Sequence, residues 1–146
     1  RLADRVRQRE GLSYSIGTSL SVGALSNAGQ FGIGAIAAPQ NLAKVDAAIR
    51  EELQRLITEG FTSEELERAK SGIRQQREQS RAQDDTISNG WVSLLDLDRS
   101  FAWAAQLDDR IAALTLDQVN DTLRRRIVPA KMSVAIARDE GKAKQP

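Results

Sequence analysis

The stretch "VRQREGLSYSIGTSLSV", residues 6–22, decides the fold. Leu2 and Val6 stand four apart among charged neighbours, so residues 1–10 read as the end of a helix. Gly11 follows the last turn, where a left-handed residue stops a helix. From Leu12 the period changes to two. Leu12, Tyr14, Ile16, Thr18, Leu20 and Val22 alternate with Ser13, Ser15, Gly17, Ser19 and Ser21. That alternation predicts a strand with one buried face.

Downstream, "GALSNAGQ" (23–30) has turn chemistry, and Phe31, Ile33, Ala35 and Ala37 resume the alternation opposite Gly32 and Gly34. The two strands form a β-hairpin. Its small residues make either a plain polar outer face or one that another backbone can approach closely. Pro39 ends the strand and Asn41 reads as an N-cap. Leu42, Val45, Ile49, Leu53 and Leu56 then predict an amphipathic helix to about residue 59, stopped by Gly60. Thr62 and Glu65 open a second helix with a capping box. Its extension "RQQREQSRAQDD" (74–85) is almost wholly polar and reads as a solvated helix.

Ile87, Trp91, Leu94 and Leu95 predict a helix within 86–97, and Trp103, Leu107 and Ile111 another within 100–113, with both tryptophans in the core. Thr115 and Gln118 form a further capping box, and Arg124, Arg125 and Arg126 suit the negative end of that helix dipole. After Pro129, the alternation of Met132, Val134 and Ile136 predicts a final strand. The order α, β, β, several α, β segregates strands from helices. The fold class is α+β, with helices packed on one face of a mainly antiparallel sheet. Residues 1–138 form one domain and 139–146 a polar tail. Three strands are few for so much helix, and the chain opens at Arg1 inside a helical pattern. The expectation is a domain lacking its first strands, with an unpaired sheet edge through which the fragment dimerises.

Composition excludes much chemistry. With 146 residues, one real core is within reach. A net charge of +1 creates no broad field for nucleic acid or membrane. The polar helical segment mixes signs and has no aromatic residue, which argues against nucleic acid again. No apolar run is long enough for a membrane span. The chain has no cysteine, so disulfides and thiolate metal sites are excluded. It also has no histidine, which removes the usual general base and any Ser-His-Asp triad. Any chemistry must draw its hardest step from another chain or domain.

The segment "VRQREGLSYSI" (6–16) resembles the "L-R-x-x-x-G-L-x-Y-x-v" segment of the later domain of pitrilysin-like (insulinase and mitochondrial processing peptidase family) zinc metallopeptidases. "NLAKVDAAIREELQRLITEG" (41–60), "FTSEELERAKSGI" (61–73) and "LTLDQVNDTLRRRIVPAKMSVAIA" (114–137) are similar to the family's later segments in the same order. The resemblance implies the C-terminal, metal-free domain. The family's zinc motif, H-x-x-E-H, lies in an N-terminal domain, and a chain without histidine cannot supply it. Zinc is therefore expected in an N-terminal domain or partner subunit, with no cofactor in this chain.

The resemblance further implies that this half closes a chamber over peptide substrates. It gives Arg7 and Tyr14, seven residues apart, catalytic and substrate-binding roles at the scissile bond. A guanidinium and a phenol aimed at a developing oxyanion stabilise the transition state electrostatically. The alternative within the same fold is a catalytically silent partner or scaffold subunit. The expected partners are the zinc-bearing domain or subunit and a peptide, with no nucleic acid and no membrane. Bacterial relatives favour a periplasmic over a cytoplasmic location, which a cysteine-free chain permits.

Overall fold

The computed structural model describes residues 1–138; the predicted polar tail, 139–146, lies outside them. The chain divides into two compact units, one formed by Arg1–Gly60 with the residues from Leu123 onward, the other by Phe61–Thr122.

The first unit begins with a π-helical segment, Asp4–Arg9. Its signature is the bond from Glu10 N–H to the Arg5 carbonyl at 3.0 Å. The wider winding brings residues five apart one above the other. Two oppositely charged pairs exploit it, Asp4 with Arg9 and Arg5 with Glu10. Gly11 follows with φ of 60°, the left-handed stop expected from its position. The Leu12 N–H then turns back to the Val6 carbonyl at 2.9 Å.

Strands β1 (Ser15–Val22) and β2 (Gly29–Ile36) pair antiparallel. The register sets Ile16 opposite Ala35, Thr18 opposite Ile33 and Leu20 opposite Phe31, so both apolar sets share one face, as the alternation requires. The strand starts three residues later than the pattern suggested, because Leu12 and Ser13 are held by bonds outside the ladder. The predicted burial of this face holds only at its base. Ile16 and Ala35 pack against the core, whereas Leu20 and Val22 are 72% and 68% exposed. Among the described residues, no third strand joins either edge.

Helix α1 (Leu42–Glu59) lies where the periodicity put it and ends at Gly60. Val45 and Ala48 from α1 and Val6 from the π-helical segment form the buried core. Leu2, Leu12, Ile16, Ala35, Ala37 and Ile49 pack around it. Helix and π-helical segment thus cover the base of the hairpin from one side, the α+β arrangement. Asn41 precedes α1 but makes no capping bond; its Nδ2 donates instead to the Leu12 carbonyl at 3.3 Å.

The second unit holds α2 (Ser63–Ser80), α3 (Asp84–Asp96) and α4 (Phe101–Ala112), and most of α5 (Leu116–Arg126). The capping box at Thr62 is present, with Glu65 N–H donating to Thr62 Oγ1 and Thr62 N–H to Glu65 Oε2. The box at Thr115 and Gln118 is formed in the same way. The tryptophans are not core residues. Trp91 is half exposed against Phe101, with ring centroids 4.7 Å apart. Trp103 lies under Arg99, whose guanidinium is 4.1 Å from the ring centroid. A cation over an indole face accounts for that partly wet position.

The final strand predicted at Met132–Ile136 does not form. A turn of 3-10 helix at Pro129–Lys131 leads into an extended but unpaired segment, with Val134 and Ile136 exposed. Alternation makes a strand only where a neighbouring ladder accepts its backbone bonds.

Candidate functional site

The corner of the first unit where the π-helical segment meets β1 carries both residues singled out by the sequence. Arg7 lies on the segment and Tyr14 one residue before β1. Three arginines alternate along the segment, and two of them are engaged. Arg5 donates through Nε to Glu10 at 2.8 Å and through Nη2 to Glu51 of α1 at 2.6 Å. Its Nη1 lies 3.9 Å from Glu52, a buried carboxylate that also accepts from Arg55 at 2.6 Å. These bonds, to Glu10 first and then Glu51, raise the Arg5 pKa still further above its ordinary value. Arg9 is paired with Asp4. Arg7 is exposed, and among the described residues its guanidinium has neither ion pair nor hydrogen bond.

Tyr14 is similar. Its side chain is 76% exposed, and its hydroxyl has no partner among the described residues. Its backbone is fixed, with the Tyr14 N–H donating to the Ile36 carbonyl at 2.8 Å. Beside it, Ser13 is buried and its Oγ lies 2.7 Å from the Ser15 carbonyl and 2.9 Å from that of Ile36. The alternation had placed Ser13 on the outer face. The structure therefore places Arg7 on the π-helical segment and Tyr14 one residue before β1, each on tethered backbone and with its polar end unpartnered among the described residues. No bond joins the two side chains to each other.

A family model described as the peptidase M16 inactive domain matches residues 1–73, which span this corner, the hairpin, α1 and the start of α2. The chain belongs to that family. No curated protein matches it. An M16 inactive domain is the non-catalytic, non-zinc-binding part of a peptidase, and its family implies a catalytic domain or subunit elsewhere. The donor set agrees: the chain has no histidine or cysteine, and no group of three or more Asp or Glu among the described residues could hold a metal ion. The described residues do not fit a zinc ion.

The second unit has its own groove, about 400 Å3, lined by α2 and α4. Arg77 and Arg81 line it, and both are engaged by Asp108. Arg81 first, and Arg77 with it, hold the Asp108 carboxyl below the usual carboxylate range. These arginines come from the polar segment 74–85, so part of its positive charge is neutralised within its own unit. No described helix is long and apolar enough to cross a membrane.

Proposed function

We propose that this M16 domain is the non-zinc half of a zinc metalloendopeptidase, which closes over a peptide and presents Arg7 and Tyr14 to the scissile carbonyl. One observation supports this reading above the others. Of the three arginines on the π-helical segment, Arg7 alone has no partner among the described residues, and it shares a fixed corner with an equally unpartnered tyrosine hydroxyl. A surface arginine and an exposed tyrosine are ordinary by themselves; two free donors on tethered backbone suit a charge that appears only during reaction.

When a peptide carbonyl is attacked, negative charge grows on its oxygen. Arg7 carries a guanidinium that offers a fork of N–H donors. Tyr14 offers a phenol O–H donor. Donors carried on fixed backbone have less to reorganise in the transition state, which is where such groups act. The chemistry of attack belongs to the zinc-bearing domain or subunit, since this chain has no histidine for the H-x-x-E-H motif.

The experiment is reconstitution. The purified chain should carry no stoichiometric zinc by elemental analysis and cleave no peptide alone. Combined with its zinc-bearing counterpart, it should restore hydrolysis. Stoichiometric zinc on the chain alone contradicts the reading. Full activity of the counterpart without this chain reduces the domain to a scaffold.

A further inference from the structure

The Tyr14 side chain is 76% exposed and its hydroxyl has no partner among the described residues, so what fixes it is its backbone, and the backbone on both sides of it converges on one side chain. The Ser13 hydroxyl is buried, with the residue only 8% exposed. Its single hydrogen is shared between the Ser15 carbonyl at 2.7 Å and the Ile36 carbonyl at 2.9 Å. Ile36 is also the acceptor for the Tyr14 N–H at 2.8 Å and the register partner of Ser15. One hydroxyl therefore ties the residue before Tyr14 to the residue after it and to the strand opposite. On the other side, Leu12 is tied to Val6, next to Arg7, and to Asn41. We infer that Ser13 is a positioning residue, whose hydroxyl holds Tyr14 in register with Arg7 for the reaction proposed above, and the inference rests on that proposal.

The physical reason is the tolerance of transition-state donors. A displacement of about 1 Å can cost on the order of 100-fold in rate. Removing the Ser13 hydroxyl leaves the Tyr14 N–H bond in place but releases the Ser15 carbonyl, so a partial loss is expected. Ser13 touches no substrate in this account; it acts through Tyr14.

The test is a double-mutant cycle in the reconstituted peptidase, with Ser13→Ala, Tyr14→Phe and the pair. Ser13→Ala should lower kcat about tenfold with KM nearly unchanged, a loss smaller than full misplacement. In the Tyr14→Phe background the same substitution should add almost nothing, because residues acting as one unit are not additive. Ser13→Thr, which keeps the hydroxyl, should restore kcat. If Ser13→Ala does not fold, Ser13→Cys takes its place in the cycle as a weaker donor of similar size. A wild-type kcat for Ser13→Ala, or a loss that multiplies in full with Tyr14→Phe, overturns the inference while leaving the role of Tyr14 intact. A wild-type kcat for Tyr14→Phe overturns both.

Discussion

Arg5 donates to Glu51 at 2.6 Å and so ties the π-helical segment to α1. The segment is short and exposed along the side that carries Arg7. Its position depends on this tie and on Val6, whose side chain has no exposed surface. Arg5→Ala is expected to lower the thermal midpoint of the chain. Arg5→Lys should recover only part of the loss, because an ammonium cannot bond Glu10 and Glu51 with a planar fork. Thermal unfolding of the three proteins under identical salt checks this.

Val6→Ala removes two buried methyl groups beside Val45 and Ala48. The expected cost is about 2 kcal/mol, from lost burial and the cavity left behind. Urea denaturation should show a lower midpoint with an unchanged slope. An unchanged midpoint would mean that Val6 does not anchor the segment.

Much of this corner is legible in the sequence, and the rest fails for identifiable reasons. Gly11, the hairpin, α1 and both capping boxes follow from local pattern, since each rests on neighbours within a few residues. The π winding has its own trace, two opposite-charge pairs at a spacing of five, Asp4 with Arg9 and Arg5 with Glu10. A search for helix pairs at three and four passes over them. Alternation alone puts Ser13 on the outer face, but the ladder begins at Ser15 and Ser13 lies before it. Met132–Ile136 carries strand periodicity without a neighbouring strand, and pairing is a tertiary fact. Helical spacing points both tryptophans at the core, whereas Trp103 is covered by Arg99.

Asn120 is another residue that no local pattern marks. It is buried in α5, accepts from the Phe61 N–H at 2.7 Å and donates to the Phe61 carbonyl at 3.2 Å, which fixes the chain just before α2. Asn120→Ala leaves two backbone groups short of partners and should cost about 1–3 kcal/mol. Asn120→Asp keeps the acceptor but loses the donor, so it should fall between. Chemical denaturation of both variants measures the order.

The Asp108 carboxyl, held low by Arg81 and Arg77, makes stability depend on acid. A carboxylate whose folded pKa is depressed stabilises the fold above its unfolded pKa, about 3.9, and loses that contribution as pH falls through the folded value. Wild type should therefore be more stable than Asp108→Asn at neutral pH, and the difference should shrink steadily below about pH 4. Thermal midpoints across pH 2–7 test the sign. A difference that stays constant through acid would exclude a charge-based tie.

The central claim concerns Arg7 and Tyr14, and peptide hydrolysis by the zinc-loaded parent tests it most directly. Wild type, Arg7→Ala and Tyr14→Phe should be compared on a mixed peptide library, with folding of each variant verified. Each substitution is predicted to lower turnover on the order of 10²–10³ without unfolding the domain, as expected for removal of one transition-state donor. Unchanged turnover in both variants would contradict the account, and the corner would then be a helix end and a strand in a binding or scaffold domain.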